Sequence, residues 1–233
     1  MAKNIPLNER IIFALDVSSK DEAERWLDRL GDQLQFYKVG LQLFLAGGFP
    51  VIDMIVKRGC QVMVDLKFFD IPETVALAVR ELKNKGATFI TVHGNDPILR
   101  AAIQERNQAK ILAVTVLTSF DESDLRAMGL TGTIQDLVYL RAKKALELGC
   151  DGVVSSGLEA QRLREGLGDR LLIVTPGIRP GSNDTTDDQK RVMSAGEAIR
   201  NGADHLVVGR PIRDAADPVA VVRQMQDEIA AAL

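Results

Sequence analysis

Val62-Met63-Val64-Asp65-Leu66-Lys67-Phe68-Phe69-Asp70-Ile71-Pro72 places three charges where an apolar strand runs into a loop. Val62-Met63-Val64 is short, apolar and β-branched at two of its three positions, the mark of a buried strand. Residues two apart in a strand share a face, so Asp65 and Lys67 are expected to point the same way. Asp70 falls just past the strand end, and Pro72 opens a helix. Charge on the inner face of a buried strand is costly unless it is paired. A carboxylate, an ammonium and a second carboxylate grouped there point to a catalytic site.

Outward from this segment, strand-like runs at 11–17, 35–40, 61–67, 89–94, 111–118, 152–156, 171–176 and 205–209 alternate with amphipathic stretches. The latter lie at 20–30, 50–58, 72–85, 97–107, 133–148, 158–167, 195–201 and 218–233. The strands are continuously hydrophobic, as in parallel sheets covered on both faces. Eight β/α units in 233 residues predict a closed (β/α)8 TIM barrel, with a doubly wound open sheet as runner-up. No linker, low-complexity tract or charge block divides the chain, so a single domain over 1–233 is expected. Two connections, 119–132 and 177–189, exceed the usual length of about 2–6 residues. The second is strongly polar and is expected to act as a lid.

Net charge is −3, from 29 basic and 32 acidic residues, which gives no reason to expect a nucleic-acid partner. No apolar run approaches the roughly 18 residues of a membrane span. The first ten residues lack the apolar core of a signal peptide, so a cytoplasmic location is expected. Cys60 and Cys150 form neither a metal spacing nor a disulfide framework and read as small buried residues entering strands.

Active sites of such barrels lie at the C-terminal strand ends. In order, these ends carry Asp16, Lys38, the Asp65/Lys67/Asp70 set, His93, Thr118, Ser155-Ser156, Pro176-Gly177-Ile178-Arg179 and Gly209-Arg210. The glycines let backbone N–H groups approach an anion, and Arg179 and Arg210 can fork onto its oxygens. A phosphorylated small molecule is expected, its reacting end near strands two and three. Each residue also has a purely structural reading: Asp70 with Glu73 has capping-box spacing, and Asp16 precedes Ser18-Ser19 as a turn former would. Lys38 can be read as a snorkelling side chain, Arg210 as a solvated one, and His93 as a hydrogen-bonded core residue. Charges on consecutive strand ends are hard to explain by capping, and their joint occurrence favours a site.

These residues carry a resemblance. Leu15-Asp16, Lys38-Val39-Gly40, Asp65-x-Lys67-x-x-Asp70-Ile71-Pro72-x-Thr74, Leu117-Thr118-Ser119, Thr175-Pro176-Gly177-Ile178-Arg179, Asp188-Gln189 and Val208-Gly209-Arg210 closely resemble the orotidine 5′-phosphate decarboxylase family. The likeness runs over essentially the whole chain, without departure at these positions. It implies decarboxylation of orotidine 5′-monophosphate to UMP and carbon dioxide, the last step of de novo UMP synthesis, without metal or organic cofactor. It implies that Lys67 protonates C6, that Asp65 sits against the substrate carboxylate, and that Lys38 and Asp70 complete a Lys-Asp-Lys-Asp array. Asp70 and Thr74 would come from the partner subunit of a homodimer. Asp16 and Lys38 would hold ribose hydroxyls, Thr118 would lie by the pyrimidine, and Arg179, Gln189, Gly209 and Arg210 would hold the phosphate.

Two rivals remain at the sequence level. A magnesium-dependent keto-sugar-phosphate decarboxylase or aldolase shares the Asp-x-Lys-x-x-Asp pattern but would be expected to carry a carboxylate where Lys38 stands. A non-catalytic nucleotide-binding barrel would be expected to have lost one of the four charged groups.

Overall fold

A computed structural model describes residues 3–179 and 192–233. Its first half runs α1 (Leu7–Arg10), β1 (Ile11–Ala14), α2 (Lys20–Leu30), β2 (Phe36–Gly40), α3 (Leu41–Gly47), α4 (Phe49–Lys57), β3 (Gln61–Phe68), α5 (Pro72–Glu81) and β4 (Ala87–His93). The second half continues with α6 (Asp96–Glu105), β5 (Lys110–Val114), α7 (Glu122–Ala127), α8 (Ile134–Leu148), β6 (Gly152–Val154), α9 (Gly157–Leu167), β7 (Leu172–Thr175), α10 (Ala195–Arg200), β8 (His205–Val208), α11 (Arg210–Arg213) and α12 (Pro218–Ala230). The strands pair in parallel in chain order, and β8 closes onto β1 with Ile12 opposite Val207. That closure is a (β/α)8 barrel and rules out the open sheet.

The continuous hydrophobicity of the strands has its cause in two separate cores. Ile12, Phe36, Met63, Phe89, Leu112, Leu172 and Val174 fill the barrel interior. Their neighbours Phe13, Tyr37, Val62, Val64, Ile90, Ile111 and Ile173 face outward under the helices. Counting by two from the inner set brings Asp16, Lys38, Asp65 and His93 to the open end of the barrel lumen. At the other end, Phe36 and Phe89 pack T-shaped against the buried His205 ring, with centroids 5.6 and 5.2 Å apart.

Local chemistry sets the helix ends. Ser19 accepts the Glu22 N–H at the start of α2, and Thr133 accepts that of Asp136 at the start of α8. Gly149, at φ 92°, ends α8 in the left-handed conformation. The capping box that the Asp70–Glu73 spacing offers as the structural alternative does not form. α5 starts after Ile71 with no side-chain cap, and Asp70 accepts the N–H of its own neighbour Ile71 at 2.7 Å.

Four short helices, α1, α3, α7 and α11, lie outside the expected segments. α3 follows β2 directly, with Gly40 as a cap that offers no side chain, so the sequence carries no start signal. α7 interrupts the expected 119–132 loop through a capping box of two aspartates, Asp121 and Asp124. Cys150 is buried as expected, whereas Cys60 is only partly so. Among the described residues no helix is long and apolar enough to cross a membrane.

Candidate active site

Four charged side chains from three adjacent strands alternate across the barrel mouth. Lys38 Nζ donates to Asp16 Oδ1 at 3.0 Å and lies 3.5 Å from Asp65 Oδ2. Lys67 Nζ donates to Asp65 Oδ1 at 2.9 Å. The centre of this chain is enclosed and its ends are open: the Lys38 and Asp65 side chains are 10% and 11% exposed, those of Lys67 and Asp16 36% and 45%. All four line one cavity, with Lys67 and Asp16 the more open to it.

Burial opposes the charged form of Lys38, but the carboxylates of Asp65 and Asp16 outweigh it and hold the ammonium above the ordinary lysine value. Burial likewise opposes ionisation of Asp65. Lys38, Lys67 and the Thr91 hydroxyl outweigh it and keep the carboxyl below its usual range. Gly40 is small for a reason specific to this network. A Cβ there would stand 3.0 Å from Lys38 Nζ and 3.3 Å from Asp16 Oδ1.

Lys67 does not reach the lumen by simple alternation. Val64 pairs with Ile90 and Phe68 with Val92, so four steps along β3 span two along β4. The extra residues form a bulge in which Lys67 takes φ 48°. A left-handed lysine costs on the order of 1–3 kcal/mol and persists only where its surroundings over-determine it. Here Thr91, fully buried on β4, accepts the Lys67 backbone N–H at 3.0 Å and donates to Asp65 Oδ1 at 2.9 Å.

The charged mouth opens into a cavity of about 330 Å³ that also takes in Thr118, Pro176, Gly177, Arg179, Gly209 and Arg210. Its floor is apolar, with Met63, Val114, Val154 and Val207. The segments that carry Arg179 and Met193 are clamped together: Arg179 N–H donates to Met193 O at 3.0 Å, and Met193 N–H to Gly177 O at 3.2 Å. Arg213, unmarked in the sequence reading, joins the wall and donates to the Asp16 carbonyl at 3.3 Å. Its only sequence signal is its place one turn after Arg210.

A model of the orotidine 5′-phosphate decarboxylase / HUMPS family matches residues 9–225. This chain belongs to that family. It is 52% identical over 228 residues to the orotidine 5′-phosphate decarboxylase of Methylococcus capsulatus, covering 97% of this chain and 94% of that one. It is 49% identical over 229 residues to the enzyme of the same name from Xanthomonas euvesicatoria, covering 97% and 94%. The crystal structure of orotidine 5′-phosphate decarboxylase from Lactobacillus acidophilus superposes with a TM-score of 0.83 at 35% identity, over 95% of this chain and 99% of that one.

Of the residues singled out by resemblance to the orotidine 5′-phosphate decarboxylase family, Asp16, Lys38, Asp65, Lys67, Thr118, Arg179, Gly209 and Arg210 line the one cavity. Asp70 and Thr74 do not: both are exposed outside it. Exposed apolar side chains flank them along the chain, Phe69 and Ile71 beside Asp70 and Leu77 one turn beyond Thr74. Gln189 and positions 180–188 of the expected lid lie outside the described residues. His93, expected as a hydrogen-bonded core residue, is half-buried against Phe69 at 5.3 Å, its Nδ1 without a partner. Burial, with Arg141 and Lys67 nearby, lowers its pKa and keeps the ring neutral. Among the described residues no group of three or more His, Cys, Asp or Glu side chains is arranged to hold a metal ion.

Proposed function

We propose that this chain decarboxylates orotidine 5′-monophosphate to UMP and carbon dioxide, the closing step of de novo UMP synthesis, in the cytoplasm and without a cofactor. The observation that carries the reading is the Asp16–Lys38–Asp65–Lys67 chain of ion pairs in a cavity that Arg179 and Arg210 also line. Family membership and relatives of that name support it.

Heterolysis of the bond between C6 and the carboxyl carbon leaves an electron pair at C6, in an orbital that the ring cannot delocalise. A fixed ammonium in a water-poor site stabilises such charge as it develops, and the exposed, Asp65-tethered Lys67 is the group for it. Lys67 Nζ then gives C6 its proton and recovers one from solvent. Asp65 faces the departing carboxylate. Two like charges about 4 Å apart at an effective dielectric near 20 repel by roughly 4 kcal/mol, which raises the ground state. Stabilisation by Lys67 is the larger effect, since it acts where charge develops. Asp16 and Lys38 hold the ribose, Thr118 the pyrimidine, and Arg179, Gln189, Gly209 and Arg210 the phosphate.

The active unit is a homodimer of single-domain barrels in which Asp70 and Thr74 serve the partner's cavity. Their exposure outside their own cavity, next in the chain to the exposed Phe69, Ile71 and Leu77, supports this. Mixing Lys67→Ala with Asp70→Ala chains should restore part of the activity that each homodimer lacks. Two inactive homodimers that stay inactive after verified exchange would place each site within one chain.

The metal-dependent rival is disfavoured by Lys38, whose ammonium stands between the two carboxylates that would have to ligate a cation. Orotidine 5′-phosphate absorbance, followed with and without EDTA, decides. Loss of signal unaffected by EDTA is expected. No loss sinks the reading, and loss abolished by EDTA favours the metal enzyme.

A further inference from the structure

We infer that Thr91 is a positioning residue for the decarboxylation proposed above, and that it acts on Lys67 from both ends. Its single hydroxyl accepts the Lys67 backbone N–H and donates to Asp65 Oδ1, the same oxygen that receives the Lys67 ammonium. Backbone, hydroxyl, carboxylate and ammonium thus close a ring in which Lys67 is tied at its main chain and at its tip. The register shift of β3 against β4 removes the ladder partner that this N–H would otherwise have, at the residue whose φ is 48°. An oxygen from the neighbouring strand is what the bulge requires, and only a side chain can deliver it there. Thr91 is fully buried and is not part of the lining of the active-site cavity, so it acts through its two partners.

The inference rests on the decarboxylase reading, and the two fail differently. Reactions that depend on alignment lose about 100-fold in rate when a reacting group is misplaced by about 1 Å. Thr91→Val keeps shape and removes both hydrogen bonds. It should lower kcat by about 10- to 100-fold and leave UMP affinity, set by ribose and phosphate contacts, within about threefold of the parent. Thr91→Ser restores the hydroxyl and should restore kcat to within about threefold.

A purely structural threonine would lower the melting temperature of Thr91→Val and leave turnover per folded chain unchanged. That outcome overturns the inference, as does a loss of UMP affinity equal to the loss of kcat. If Thr91→Val does not fold, Thr91→Ala is held to the same criteria, and a tenfold loss in Thr91→Ser refutes the proposal by itself. A parent protein that leaves orotidine 5′-phosphate untouched sinks the decarboxylase reading instead.

Discussion

Lowering the pH through the range below 6.5 should destabilise this barrel through His205, the residue that closes the floor of its lumen. The ring is 5% exposed and packs T-shaped with Phe36 and Phe89. Its Nδ1 is 2.9 Å from the Glu9 carbonyl, an acceptor, so the neutral ring keeps its proton there. A second proton would put a charge in a mostly apolar box. Burial, with Arg10 and Lys110 adding to it against the weaker pull of Asp204 and the Glu9 bond, lowers the pKa to about 4. The unfolded chain takes up the proton near 6.5, well before the native state does. The stabilisation is therefore complete above that value and is lost as the pH falls towards 4. An interval of roughly 2.5 pH units corresponds to about 3 kcal/mol, a large part of a domain's net stability. His205→Gln keeps a donor for the Glu9 carbonyl and cannot titrate. Urea unfolding at pH 7.5, 6, 5 and 4.5 should show the parent more stable at neutral pH and losing up to about 1.4 kcal/mol per pH unit more than the variant. Any contribution of His93 cancels in that difference. Parallel stability curves, or a native His205 resonance that titrates above pH 6, would refute the argument.

Three further outcomes test the site. Lys67→Ala should lose at least about 10³-fold in kcat, because it removes both the cation beside the developing charge and the proton donor; UMP binding measured by calorimetry should persist. Asp65→Asn strips the buried Lys38 of one of its two carboxylates and should cost about 3–5 kcal/mol in urea unfolding. Replacing both partners with Lys38→Met/Asp65→Leu should recover most of that stability but no activity, and a single variant as stable as the parent would show the pair to be structurally idle. Arg210→Ala should weaken UMP by about 10- to 100-fold while leaving uridine unchanged, the size expected for losing a charged hydrogen bond; equal effects on both ligands would remove Arg210 from the phosphate.

Eight apolar segments, their order, and the charges carried by the first three of them are set by the sequence alone. Burial on both faces writes itself locally as a hydrophobic run, and a charge within or just past such a run stands out. Asp16, Lys38, Asp65 and Lys67 are all legible in this way. What tertiary structure decided depends on register between strands distant in the chain. Closure of β8 on β1, the four-against-two bulge that turns Lys67, and the Thr91 hydroxyl that reaches across 24 positions to hold it have no local signature. Asp70 makes the same point from the other side. Its spacing to Glu73 spelled a helix cap, yet the chain enters α5 through Pro72 with no side-chain cap, and Asp70 is left exposed at the rim. A pattern of residue types fixes which groups are available. Which of them meet is fixed only when the barrel closes, because the hydrogen bonds that choose between them are made across strands and not along the chain.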